Sequence, residues 1–128
     1  MNDLIADLLA RIQNAVMRKK ASVVVPYTRI NTEILKVLKS EEMIKGFEEN
    51  KEKREIEVEL SYTEGKEPVV THFEKVSKPG QRIYISNEEI IPILNGRGIS
   101  ILTTSSGVMT GAMAKGKGLG GEYICKIW

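Results

Sequence analysis

Cysteine and histidine are scarce in this sequence, and their scarcity excludes several classes of protein. Cys125 is the only cysteine, which rules out an internal disulfide and suits a reducing compartment. With His72 as the only histidine, the usual ligands of a zinc site are missing, so we expect neither a metal nor a cofactor. The apolar runs are too short to span a membrane, and Asp3 and Asp7 near the N-terminus are unlike a signal peptide. The sequence therefore favours a cytoplasmic protein.

Net charge is also small, because 19 basic and 17 acidic side chains leave a formal charge of +2. The charges are unevenly placed: the balance is +4 over residues 1–40, −4 over 41–60, −1 over 61–94 and +3 over 95–128. Electrostatic attraction at physiological salt reaches about 8 Å, so the local balance matters more than the sum. Both ends can therefore present a basic surface, although the small sum excludes binding that depends chiefly on a basic tail.

Two hydrophobic periods in succession predict a mixed architecture in the N-terminal half. Residues 3–19 have the apolar spacing of an amphipathic helix, a short β-branched run follows, and Thr28 is placed to cap a second helix. Residues 54–62 alternate apolar and polar side chains, as in a strand with one covered face, and 44–47 supply its partner strand. We predict an αβαββ domain over 1–62, with two helices on a short sheet.

The C-terminal half is predicted to contain mainly short strands. The turn-rich segment 63–68 is the predicted linker, and 69–128 form the second domain. In that domain we expect a brief helix that Asn87 caps and that runs through Leu94. Strands are predicted for 82–86, 99–103 and 122–128. The predicted fold class is therefore α+β with two small domains, the second mostly β with a short helix.

Residues 116–121 match the dinucleotide-binding pattern GxGxxG, but the surrounding sequence contradicts that function. The pattern requires a helix after it and an acidic residue about 20 positions further on. Here a predicted strand follows, and only seven residues remain. His72 could act as a base, yet no serine or acid forms a recognisable motif with it. We expect no catalytic residue and no enzyme, and a small enzyme using His72 is the weakest alternative.

Four successive hydroxyl side chains, 103–106, precede Gly107 in a glycine-rich region. Such short donors and acceptors reach phosphate oxygens, ribose hydroxyls and base edges, which is how structured RNA is read. Glycines would allow close approach of another backbone, and Lys115 and Lys117 supply positive charge for phosphates. The alternative is that the same residues simply form tight turns.

A second candidate surface is a polar stripe on the first predicted helix. Arg11, Asn14 and Arg18 lie on one face at spacings of three and four, with Lys19 and Lys20 beside them. These side chains could contact a phosphate backbone. The alternative is the solvated face of an ordinary amphipathic helix.

Several blocks resemble bacterial ribosomal protein eight of the small subunit. They are the C-terminal passages 99–110 and 120–128, the N-terminal passage 5–15, and the block 78–84. The resemblance runs in order along essentially the whole chain. It implies a two-domain α+β protein that binds the central domain of small-subunit ribosomal RNA early in assembly and is located in the ribosome.

The resemblance also implies which residues bind RNA. In the C-terminal domain they are Thr103, Thr104, Ser105, Gly107, Lys115, Gly121 and Glu122, and in the first helix they are Arg11, Asn14 and Arg18. The carboxylate of Glu122 would accept hydrogen bonds from base or loop donors. The implied partners are the neighbouring small-subunit proteins five and twelve, and the chain's own messenger RNA, whose translation it would repress.

Some positions depart from the family pattern. Thr103 stands where serine is usual, and Lys115 stands where arginine is usual, which removes a bidentate phosphate contact. These departures affect accessory phosphate contacts and leave the hydroxyl run in place. The alternative function, from another class, is a protein-interaction module that docks partners through the hairpin 43–62.

Overall fold

The structure of this protein, a computed structural model, describes residues 3–93 and 97–128. The described chain divides into two compact units, one spanning Leu4–Thr71 and the other comprising Asp3 and His72–Trp128. Helices and antiparallel sheets occur together, which confirms the predicted α+β class. Within the described ranges, no helix has the length and apolar character needed to cross a membrane.

The first unit is built from two helices and a three-stranded antiparallel sheet. Its elements are α1 (Leu4–Met17), β1 (Ser22–Pro26), α2 (Arg29–Ser40), β2 (Ile44–Asn50) and β3 (Glu55–Leu60). The strand order is β1-β3-β2, so β3 is central. Along β3, Ile56, Val58 and Leu60 are buried while the glutamates between them are exposed. One face of the sheet therefore belongs to the core and the other to solvent, as the alternation predicts.

Both helices of the first unit end in a left-handed residue that is not glycine. Helix α1 ends at Met17, two residues before the predicted end, because Lys19 adopts φ 54°. The N–H of Lys20 then donates to the Ala15 carbonyl at 3.0 Å, as in a Schellman motif. Helix α2 begins at the predicted cap: the Asn31 N–H donates to Thr28 Oγ1 at 3.1 Å. It ends in the same way as α1, with Glu42 at φ 60°.

The second unit contains a five-stranded antiparallel sheet and short helical segments. Its elements are β4 (Phe73–Lys75), β5 (Tyr84–Ile85), a 3₁₀ turn (Asn87–Glu89), β6 (Ile99–Thr104), β7 (Gly107–Thr110), α3 (Gly111–Gly116) and β8 (Gly121–Ile127). The order is β4-β8-β6-β7, and β5 also pairs with β8. One core cluster of this unit is formed by Ile90, Leu102, Met109 and Ala114.

Local structure around Asn87 differs from the prediction. Ser86, not Asn87, is the N-cap, and its N–H donates to the Glu89 carboxylate at 2.8 Å. The helical segment stops at Glu89, because Ile90 is already extended (φ −72°, ψ 121°). Leu94, the predicted helix end, lies outside the described residues. The side-chain amide of Asn87 donates instead to the Lys115 carbonyl at 3.1 Å, which ties this loop to α3.

Two further elements of the second unit differ from the sequence-based prediction. The predicted strand 82–86 is reduced to Tyr84–Ile85. Helix α3 occupies a passage where only a glycine-rich loop is expected; Thr110 caps it by accepting a hydrogen bond from the Met113 N–H at 3.1 Å. Low helix propensity of glycine explains the omission, and capping together with packing of Ala114 overrides it.

Cys125 is buried in β8, opposite Ile101 of β6. Burial raises the pKa of its thiol to about 12. The thiolate, which is the nucleophilic form, is therefore almost absent near neutral pH. Cys125 therefore serves as a small buried apolar residue of the core and not as a nucleophile.

Candidate nucleic-acid interface

The hydroxyl run lies at the tip of the hairpin formed by β6 and β7. Thr104 pairs with Gly107, so Ser105 and Ser106 form a two-residue loop between the strands. Gly107 has φ 109°, a left-handed conformation that side-chain-bearing residues rarely adopt. Both serines are exposed, and their hydroxyls have no hydrogen-bond partner within the described part of the chain. The tip therefore presents two uncommitted donor–acceptor groups on a fixed backbone.

Thr104 has a different position from the serines, because its side chain is buried within the turn. Its hydroxyl donates to the Gly107 carbonyl at 2.9 Å and accepts from the Ser106 N–H at 3.1 Å. This pair of hydrogen bonds closes the turn. The hydroxyl of Thr104 is thus occupied by the hairpin itself, in contrast to those of Ser105 and Ser106.

A row of side chains crosses the sheet beside the hairpin tip. Thr103 of β6 lies directly opposite Glu122 of β8, and Glu122 lies directly opposite Tyr84 of β5. Directly opposed residues of antiparallel strands share one face of the sheet. Tyr84 is 68% exposed, an unusual setting for a large ring. The row therefore places a hydroxyl, a carboxylate and an accessible aromatic surface side by side.

Glu122 is held in this row by an ion pair. Arg82 Nη1 lies 3.2 Å from Glu122 Oε2, and the Glu122 side chain is only 18% exposed while that of Arg82 is 48% exposed. The pair leaves further guanidinium N–H groups and the second carboxylate oxygen available. Arg82 and Tyr84 were not identified from the sequence. Their periodicity indicates only a strand, and their position next to Glu122 depends on pairing between residues 40 positions apart.

Gly120 and Gly121 allow β8 to begin in the crowded space between β5 and β6. A Cβ on Gly121 would lie 2.2 Å from the Thr103 carbonyl oxygen, and one on Gly120 would lie 2.5 Å from the Ile85 carbonyl oxygen. Both obstacles are backbone atoms that cannot rotate away. The two glycines therefore determine how closely Glu122 approaches Thr103.

Lys115 is tied to its own unit rather than free. Its ammonium group donates to the Ile90 carbonyl at 2.8 Å. A contact from Lys115 to a phosphate would compete with this hydrogen bond. Lys115 comes directly after Ala114 of the core cluster on α3. Among the described residues, no contact connects it with the hairpin tip.

The polar stripe of α1 belongs to the first unit. Arg11, Asn14 and Arg18 are all exposed, as the helical spacing predicts. Arg11 is partly engaged, because its Nε lies 2.9 Å from Asp7 Oδ2 and its Nη1 donates to the Val24 carbonyl at 3.3 Å. Arg18 lies one residue beyond the end of α1, with its N–H bonded to the Asn14 carbonyl at 3.2 Å. The stripe is accessible, and Arg18 has no ion pair in the described part of the chain, whereas Arg11 does.

Little in the described residues resembles an enzyme's active site. No three histidine, cysteine, aspartate or glutamate side chains in the described ranges are grouped closely enough to hold a metal ion. The ring of His72 stacks on that of Trp128, with centroids 5.1 Å apart and planes inclined by 1°. This arrangement serves packing at the edge of the sheet.

Comparison with known proteins gives matches along the whole chain. A family model described as ribosomal protein S8 matches residues 3–128. A protein of Thermodesulfovibrio yellowstonii named small ribosomal subunit protein uS8 is 43% identical over 130 residues, covering 100% of this chain and 99% of the relative. The protein of the same name from Paracidovorax citrulli is 46% identical over 129 residues, covering 99% of this chain and 98% of the relative. The one from Thermosynechococcus vestitus is 40% identical over 131 residues, covering 100% and 98%.

Proposed function

Since this chain belongs to the ribosomal protein S8 family, we propose that it binds the central domain of small-subunit ribosomal RNA through the β6–β7 hairpin tip and the adjoining row. Membership makes the chain a structural constituent of the small ribosomal subunit and not an enzyme, which confirms both predictions. The domain limits 1–62, 63–68 and 69–128 remain a prediction, as do the individual RNA-binding residues.

The observation that carries the proposal is that two exposed serine hydroxyls have no hydrogen-bond partner in the described part of the chain, while the turn that holds them is closed by hydrogen bonds of Thr104. Ser105 and Ser106 extend into solvent, and the buried bonds of Thr104 fix the backbone that holds them. Preorganised donors lose little conformational freedom when they bind. Neutral hydroxyls recognise sugar hydroxyls and base edges without demanding a particular phosphate position. This chemistry suits an irregular RNA helix better than a uniform duplex.

The neighbouring row adds selectivity to the hydroxyl contacts. The exposed ring of Tyr84 offers a surface on which an unstacked base can stack, a contact worth about 1–3 kcal/mol. Glu122 repels phosphates but accepts hydrogen bonds from base amino groups, and Arg82 beside it donates. An RNA strand bound in another register would bring a phosphate against the carboxylate of Glu122. The row therefore favours one register of the RNA over others.

Arg11, Asn14 and Arg18 would anchor phosphates from the first unit. Such contacts add affinity but carry no sequence information. Lys115 is the weakest of the proposed RNA contacts, because its ammonium group is already bonded to the Ile90 carbonyl. Gly107 and Gly121 would contribute through the backbone geometry that they permit.

The test is a titration of ribosomal RNA fragments at several salt concentrations. The wild-type chain should prefer a central-domain fragment over an unrelated duplex of equal length. Ser105→Ala should weaken binding to the central-domain fragment by about 1–3 kcal/mol, since it leaves a buried partner unsatisfied. Ser40→Ala, at the exposed end of α2, is the matched control and should bind like wild type. Equal affinity of the wild-type chain for all duplexes would refute specific recognition.

A second candidate contact, with proteins, is favoured by the solvent face of the first sheet. Glu55, Glu57 and Glu59 point to this face, and Glu48 of β2 lies directly opposite Glu57. Such a face repels RNA and attracts basic protein segments. We propose it as the surface that meets small-subunit proteins five and twelve. Exchange of Glu57 and Glu59 for glutamine should weaken binding to those proteins without weakening binding to the central-domain RNA fragment.

The proposed repression of the chain's own messenger RNA would use the same hairpin surface. A messenger structure that mimics the ribosomal site would then compete with the ribosomal RNA fragment for one binding site. Ser105→Ala should weaken both complexes together in a competition titration. Loss of only one of them would indicate separate surfaces.

A further inference from the structure

A small pocket in the first unit lies just beyond the end of α1 and includes none of the residues proposed above to bind RNA. Lys19, Ala21, Tyr62 and Lys66 line it, and its volume is about 240 Å³. The phenol of Tyr62 donates to the Lys20 carbonyl at 2.5 Å, which fixes the ring as one wall. The aliphatic stems of the two lysines and the methyl of Ala21 complete apolar walls. Two ammonium groups are therefore attached to an otherwise apolar, aromatic-walled recess.

The backbone at both lysines is unusual. Lys19 has φ 54° and Lys66 has φ 63°, the left-handed region in which glycine is favoured. Lys19 closes the Schellman motif of α1, and Lys66 belongs to a tight loop in which its N–H donates to the Thr63 carbonyl at 2.8 Å. In the described ranges, four residues other than glycine have a positive φ, and two of them are these lysines. Glycine at either position would relax the backbone, whereas lysine adds a long cationic side chain beside the pocket.

We propose that this pocket holds one nucleotide of an RNA strand, with its base or ribose against the Tyr62 ring and its phosphates between Lys19 and Lys66. The inference rests on the proposed function for the presence of RNA. Stacking on an aromatic ring combined with ammonium–phosphate pairing is the usual way in which proteins hold an unpaired nucleotide. A free inorganic anion would leave the aromatic wall unused.

The charges around the pocket support an anionic ligand. Lys20 and Arg18 are exposed next to Lys19 in the sequence. Tyr62 does not repel phosphate, because a tyrosine phenol is uncharged near neutral pH, and burial raises its pKa further above the ordinary value. Glu64 and Glu67 are exposed in the loop that carries Lys66, but neither lines the pocket.

The first test uses the double variant Lys19→Gly with Lys66→Gly. Removing two phosphate contacts should reduce the slope of log K against log salt by about 1.5, because each contact accounts for roughly 0.7–0.9. Glycine also removes the left-handed strain, so the variant should unfold at a higher temperature than wild type. Glu42→Gly is the backbone control: it relaxes the same motif at α2 and should leave the salt slope unchanged.

The second test separates stacking from charge. Tyr62→Leu should weaken RNA binding about 5- to 150-fold, the range expected for loss of one base–aromatic contact. Tyr62→Phe keeps the ring and should bind within about twofold of wild type. Lys51→Ala with Lys53→Ala removes two charges from the β2–β3 turn of the same unit and should leave the slope unchanged.

Two results would overturn the pocket. The first is a slope of log K against log salt in the Lys19→Gly, Lys66→Gly variant that equals that of the wild-type chain. The second is a Lys51→Ala, Lys53→Ala control whose slope falls as much as that of the pocket variant. Neither bears on the hairpin, which is tested by discrimination between RNA fragments and by Ser105→Ala. Conversely, a wild-type chain that does not discriminate would refute the proposed function, while the salt slope on any RNA would still test the pocket.

Discussion

Replacing Thr104 by valine should separate a structural role of the hairpin hydroxyls from a direct role in RNA binding. Valine has the same shape but lacks the donor to the Gly107 carbonyl and the acceptor for the Ser106 N–H. A typical intramolecular hydrogen bond contributes about 0.5–1.5 kcal/mol. Because Ser106 is exposed, water can satisfy its N–H, so the lower part of the range applies to that bond. We expect the free energy of unfolding to fall by about 1–2 kcal/mol.

Urea unfolding followed by tryptophan fluorescence is a suitable assay for this variant. Trp128 is the only tryptophan and lies in the same unit as the hairpin, stacked on His72. The midpoint should move to lower urea with an unchanged slope. Thr104→Ser retains the hydroxyl and should recover much of the lost stability. If Thr104→Val matched wild type in stability but lost RNA affinity, the hydroxyl would contact RNA directly and the turn-closing role inferred here would be refuted.

Two further predictions concern the second unit. Gly121→Ala places a Cβ 2.2 Å from the Thr103 carbonyl oxygen, so β8 must move away from β6. The free energy of unfolding, measured in urea, should fall by about 1–3 kcal/mol. Discrimination between RNA fragments, measured by titration, should fall as well. Gly116→Ala, where the added Cβ has nothing within 4 Å, is the control and should be tolerated. The buried thiol of Cys125 has a pKa of about 12 against an ordinary 9.0, so the unfolded chain loses this proton first as pH rises. Stability should therefore be unaffected below pH 9 and should fall between about pH 9 and 12, more steeply than in Cys125→Ala; parallel pH profiles would contradict this.

Sequence patterns succeeded where the determining interactions are local. The cap at Thr28 requires only a bond three residues away, and the buried face of β3 follows from strict alternation of Ile56, Val58 and Leu60 with glutamates. Asn87 was misplaced by one position because Ser86 and Asn87 are both good caps, and the bond from the Ser86 N–H to Glu89 decides between them.

The composition of the candidate site could be predicted only in part. The sequence indicated that the hydroxyl run and Glu122 are candidate RNA-binding residues, but the position of each side chain depends on the strand register. Thr104 turns inward because it lies two residues after the buried Leu102 on the same face of β6, while the turn that begins at Ser105 is fixed by the pairing of Thr104 with Gly107. Tyr84 joins the site by pairing with Glu122 of β8, and Arg82 joins it through an ion pair with the same glutamate, about 40 positions away in sequence. Non-local register is the information that periodicity does not contain.

Charges of opposite sign occupy different parts of the surface of the first unit. Its sheet is buried on the side of Ile56 and Val58, where the helices pack, while the opposite side exposes a line of glutamates. The basic end of α1, including Lys19, carries the other sign. A uniform +2 would attract RNA weakly from every direction, whereas this separation repels phosphates from the sheet face and admits them at the helix end. The acidic residues that cancel the total charge therefore contribute to orientation, and exchanging them for neutral residues should raise non-specific RNA binding more than specific binding.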